Sequence, residues 1–103
     1  MVMSTPPVQR EVVIVNPHGL HARPAEKLAR TALGFESRVE ILRGNERVDA
    51  KSILHLLTMG ATQGTELIIE AHGRDAAEAV EALAKLVENG FAEVYDADEG
   101  RSK

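Results

Sequence analysis

Cysteine and tryptophan are absent from this 103-residue sequence, and Phe35, Phe91 and Tyr95 are its only aromatic residues. Without cysteine there is no disulfide framework, and nothing points to an oxidising compartment. Three rings are too few for the stacked-aromatic sheet face by which small α+β modules read RNA. Positive charge is in the minority as well: twelve Lys and Arg against sixteen Asp and Glu give a formal net charge of -4, which repels a polyanion. No window approaches the ~18 consecutive apolar residues of a membrane span, and residues 1–10 (MVMSTPPVQR) lack the apolar stretch of a secretory signal. These absences predict a cytoplasmic protein that binds no nucleic acid and does not insert into a membrane.

What is present fits one small globular domain, 44% hydrophobic and 27% charged, with room for a single core and one surface site. Glu11 to Val15 carries four consecutive β-branched residues and stops at Asn16-Pro17, which predicts a first strand. Ala25, Leu28, Ala29, Ala32 and Leu33 recur at helical spacing, so a helix is expected from near Ala22 to Gly34, with Pro24 in its first turn. Val39 and Ile41 alternate with polar neighbours, Gly44-Asn45 offers a tight turn, and Glu46 to Ala50 resumes as a weak edge strand. Ser52 heads a short apolar helix ending before Gly60, and Thr65 to Ala71 alternates as a strand. Asp75 with Glu78 resembles a capping box opening a last helix, which Asn89-Gly90 ends.

Two amphipathic helices then cover one face of a four-stranded sheet, leaving Arg38, Glu40, Glu66 and Glu70 on a face open to water. Residues 1–9 and 91–103 have no sustained period and are expected to be loosely held tails around a domain at 10–90, with Phe91 and Tyr95 available to dock.

The residue pattern with the most chemistry surrounds His21. It immediately precedes the apolar period of the first helix, at or beside the N-cap, with Gly19 freeing the loop behind it. At that place the amides of Ala22 and Arg23 point outward and the helix macrodipole favours an anion. An imidazole has a lone pair able to attack phosphorus, and Arg23 can fork onto phosphoryl oxygens. No metal or other cofactor is needed for such a transfer. A histidine at a helix start is nevertheless more often a cap or loop residue, and spacing does not decide between the two. His18, His55 and His72 receive no role, since no Cys or clustered carboxylate completes a metal set beside them.

Residues Asn16-Pro17-His18-Gly19-Leu20-His21-Ala22-Arg23-Pro24-Ala25 resemble the active-site segment of the HPr family, histidine-containing phosphocarriers of the bacterial sugar phosphotransferase system. Lys51-Ser52-Ile53 and Met59-Gly60-Ala61-Thr62-Gln63-Gly64 resemble that family's second signature, at a matching separation. The resemblance implies an open-faced α+β sandwich, βαββαβα, with antiparallel strands in the order 1-4-2-3. It implies a carrier rather than an enzyme turning over a small molecule: His21 takes a phosphoryl group on Nδ1 from enzyme I and passes it to the A domain of a sugar-specific enzyme II, with Arg23 as charge partner.

Ser52 reads as an N-cap, and by the resemblance it is also the target of an ATP-dependent serine kinase in many members. A helix this short cannot bury all its apolar side chains, and the resemblance places a partner-docking patch on Ile53, Leu54 and Leu57, extended by Leu20. Lys27 and Arg30 are either a solvated helix face or a steering surface for acidic partners, and sequence does not separate these. The chain is expected to be a monomer. A nitrogen-branch or other regulatory phosphocarrier would share the histidine motif, and a small ligand- or RNA-binding α+β module would share the topology without needing His21 and Arg23 at a helix start.

Overall fold

A computed structural model describes residues 6–92 and contains β1 (Val8–Val13), α1 (Ala22–Leu33), β2 (Arg38–Arg43), β3 (Glu46–Asp49), α2 (Ile53–Thr58), β4 (Glu66–His72) and α3 (Ala76–Glu88). The strands form one antiparallel sheet in the order β1-β4-β2-β3, the expected open-faced arrangement. The period-2 alternation sets the two faces. Val12, Val39, Ile41, Val48, Leu67 and Ile69 point to one side, where Leu28 of α1, Leu56 of α2 and Leu83 of α3 close the core.

β1 lies earlier than expected. It begins at Val8, paired with Ala71, because β4 continues to His72 and offers partners that far, so Val8 and Gln9 belong to the sheet and not to a tail. Past Val13 the chain leaves the ladder, although Ile14 N–H still donates to Thr65 O at 2.9 Å. At the other end, Gly90 N–H donates to Val87 O and Phe91 N–H to Leu86 O, the paired closing bonds of a Schellman motif. Phe91 is fully buried and docks as expected; Tyr95 lies outside the described residues.

Three further expectations need correction. Leu33 is 61% exposed, because eight residues beyond Ala25 it has rotated about 80° away from that residue's side of the helix. The Asp75 carboxylate does not cap α3; it accepts from Glu36 N–H at 2.9 Å, from Ser37 N–H at 3.0 Å and from the Ser37 hydroxyl, satisfying the loop that leads into β2. Glu70 is not solvated. Its side chain is 6% exposed and lies within a polar network across all four strands of the open face.

In that network Glu70 accepts from Gln9 Nε2 of β1 at 2.6 Å and from Arg47 Nη1 of β3 at 2.7 Å, and His72 Nε2 stands 3.1 Å from it. Arg47 also reaches Glu40 at 2.8 Å. Glu40 and Glu70 are direct cross-strand partners, a like-charge pairing that the shared guanidinium neutralises. Arg47, then His72 and Gln9, hold the Glu70 carboxyl down at about 2 from an ordinary 4.5. The Ser37 hydroxyl and the Glu36 amide hold Asp75 at about 2 from 3.8.

Both carboxyls are depressed in the folded state. Their stabilisation is therefore complete above 4.5 and 3.8 and is lost as pH falls toward about 2. Urea midpoints measured across this window should drop with falling pH. Glu70→Gln, which keeps the acceptor oxygen without the charge, should show a shallower drop; an identical slope would exclude Glu70 as a source.

Candidate functional site

The turn between β1 and α1 is built by backbone and by one buried amide. Gly19 N–H donates to Asn16 O at 3.1 Å, and the buried Asn16 side chain returns the contact, with Nδ2 donating to Gly19 O at 2.7 Å. Leu20 N–H donates to Ala61 O at 2.9 Å, which fastens the turn to the segment after α2. That segment is held in turn by Gln63 Nε2 donating to Val15 O at 3.0 Å and by Gly64 N–H donating to Ile14 O at 2.7 Å. The two separated sequence motifs are thus one structural unit. Gly19 sits at φ +70, and a Cβ there would lie 2.4 Å from Ala61 O, so this backbone approach requires glycine.

His21 is the N-cap of α1, with extended backbone (φ -90, ψ -166). Its carbonyl accepts the first helical bond, from Ala25 N–H at 2.9 Å, so the Ala22 and Arg23 amides precede the first rung of the ladder. The imidazole makes no capping hydrogen bond and is half-buried, while Ala22 and Arg23 are exposed. No acidic residue lies in the first turn of α1, and Arg30 sits in its last, so no carboxylate in that turn offsets the positive end of the dipole. Pro24 is buried in the first turn, where its missing N–H removes no ladder bond. The ring of His18 meets that of His21 edge-on, with centroids 5.8 Å apart and planes at 80°.

The remaining expected residues divide. Ile53, Leu54 and Leu57 are 39%, 78% and 37% exposed on α2, an apolar surface beside α1. Leu20 does not extend it: the same turn that presents His21 directs Leu20 into the core, where it is buried. Ser52 is the N-cap of α2, its hydroxyl accepting from His55 N–H at 3.1 Å. Lys27 is half-buried on α1, and Arg30 pairs with Glu26 at 3.1 Å on an exposed surface. Sequence reasoning missed Asn16 as the clamp of the turn and His18 as a neighbour of His21. The Asn-Pro pair signalled a strand end, but the side-chain bond needed the folded turn.

The family model described as PTS HPr component phosphorylation site matches residues 8–89. The phosphocarrier protein HPr of Cupriavidus necator is 41% identical over 86 residues, 84% of this chain and 97% of that protein. A multiphosphoryl transfer protein of Haemophilus influenzae is 41% identical over 83 residues, 78% of this chain but 17% of that much longer protein. A crystal structure of HPr-C-His from Thermoanaerobacter tengcongensis superposes with a TM-score of 0.80 at 38% identity, covering 82% of this chain and 96% of that one. The sheet order, the two interlocked motifs and the histidine at the head of α1 agree with these likenesses, and the chain belongs to the HPr family of phosphotransferase-system phosphocarriers.

Proposed function

We propose that His21 accepts a phosphoryl group on Nδ1 from enzyme I, charged by phosphoenolpyruvate, and passes it to the A domain of a sugar-specific enzyme II. The observation that carries this reading is a half-buried imidazole at the N-terminus of a twelve-residue helix whose first turn holds no acid. On loading, the ring lone pair forms a P–N bond as the donor's bond to phosphorus breaks and the donor recovers its electron pair; on delivery, the acceptor's lone pair attacks phosphorus as that P–N bond breaks and its electron pair returns to the His21 ring. The amides of Ala22 and Arg23 and the Arg23 guanidinium take up charge on the phosphoryl oxygens.

The exposed side chains of Ile53, Leu54 and Leu57 form the docking patch, with Lys27 steering acidic partners toward it. The Haemophilus multiphosphoryl transfer protein, which contains a region similar to this chain, fits a role in relay between proteins. The carrier acts as a cytoplasmic monomer, with a working domain that reaches from Val8 to Phe91. Incubation with labelled phosphoenolpyruvate and enzyme I should give acid-labile phosphate on the protein; no incorporation would overturn the reading.

Ser52 is the regulatory position, modified where a serine kinase/phosphorylase is present. Phosphate there meets a helix start and is tolerated by the fold, but up to two added negative charges oppose an acidic partner. Ser52→Asp keeps a good N-cap residue and should leave the melting temperature nearly unchanged while slowing transfer from enzyme I about tenfold. Undiminished transfer by Ser52→Asp and by the Ser52-phosphorylated protein would remove Ser52 from control.

A further inference from the structure

We propose that His18 is a positioning residue for the phosphoryl group: it fixes the ring of His21 and presents an N–H to the phosphoryl oxygens once His21 is modified. This rests on the reading of His21 as the acceptor. The edge-on contact between the two rings, at 5.8 Å and 80°, is the observation behind it. His18 is exposed, so its ring is not spent on filling the core, yet its backbone is tightly placed. The Asn16–Gly19 bonds close the turn around it and the Leu20–Ala61 bond ties the next residue down. His21 makes no capping hydrogen bond, so capping does not orient its imidazole.

The chemistry suits the place. A neutral imidazole always carries one N–H and a protonated one carries two, while a phosphoryl group brings three acceptor oxygens and up to two negative charges. The charged and titratable groups around the turn are few among the described residues. His21 and Arg23 stand at the start of α1, with Glu26 one turn on and paired with Arg30. The Met59–Gly64 segment carries none. The end of α3, which approaches Val15 and Asn16, contributes Glu88, held by Arg10 at 2.9 Å. The N–H that His18 presents therefore meets the phosphoryl group while the carboxylates of Glu26 and Glu88 are already paired.

The test phosphorylates the unmodified chain, His18→Gln, His18→Phe and His18→Ala with phosphoenolpyruvate and enzyme I. It reads the equilibrium position of transfer for all four chains under one set of conditions. The equilibrium constant of the unmodified chain should exceed that of His18→Phe about threefold, the size of an exposed charge-assisted contact. His18→Gln, which keeps an N–H donor, should likewise exceed His18→Phe and His18→Ala. A His18→Phe chain matching the unmodified one would show that the ring merely packs, and would overturn the proposal. So would four chains with indistinguishable equilibrium constants. No uptake by the unmodified chain would overturn the acceptor reading of His21 as well, a result distinct from uptake with no difference among variants.

Discussion

A chain carrying His21→Ala should take up no acid-labile phosphate from phosphoenolpyruvate and enzyme I, a loss on the order of 10³-fold or more in rate. It should also fold normally. The helix keeps its first bond because that bond uses the His21 carbonyl, and the side chain contributes no cap that alanine would remove. Truncating a half-buried side chain outside the core changes stability by about 1 kcal/mol or less, which moves the melting temperature by no more than about 8 °C. Radiolabel transfer and thermal unfolding measured on the same sample separate the two effects. Label retained on the folded His21→Ala chain would place the acceptor elsewhere, with His18 the first alternative by proximity.

Gly19→Ala should do the reverse, damaging the scaffold and with it the chemistry. The new methyl would sit 2.4 Å from Ala61 O and 2.9 Å from Thr62 Cα, in a backbone already at φ +70. Both obstacles are main chain, so no side-chain rotation relieves them. Strain and displacement together should cost about 2–4 kcal/mol, lowering the melting temperature by on the order of 15 °C in a domain of this size. Moving the turn off Ala61 also shifts His21 against the helix amides, and transfer at a temperature where the chain stays folded should slow about tenfold or more. Gly44→Ala is the matched control. Gly44 has a similar φ of +58 in the β2–β3 turn, but nothing lies within 4 Å of its added Cβ. It should lose only the cost of the left-handed conformation, about 1 kcal/mol, and keep full transfer. Equal losses in the two variants would show that the contact with Ala61 is unimportant.

The burial pattern divides along the same line as these two predictions. The alternation of Val39 and Ile41, or of Leu67 and Ile69, states which side chains face the helices, because a strand has only two faces. Glu70 follows that alternation correctly onto the open face and is still buried, since Gln9 and Arg47 converge on it from strands distant in sequence and His72 joins them from two residues along β4. Asp75 has the spacing of a capping box and spends its carboxylate on Glu36 and Ser37, residues 39 and 38 positions away. Leu20 is apolar and adjacent to His21, which suits a docking surface, but the bond from its amide to Ala61 turns it inward.

Local periodicity and local punctuation were enough to determine the elements, the face each presents to the core, and the position of His21 at a helix start, because each depends on residues within about one turn of one another. The likeness carried by two short motifs added the strand order and the phosphocarrier class. Tertiary structure alone decided where polar side chains find their partners, which apolar ones stay outside, and that the two motifs meet at Leu20 and Ala61. Those outcomes depend on contacts between segments roughly 40 to 60 residues apart, and a buried polar group takes whichever partner the packed chain brings to it.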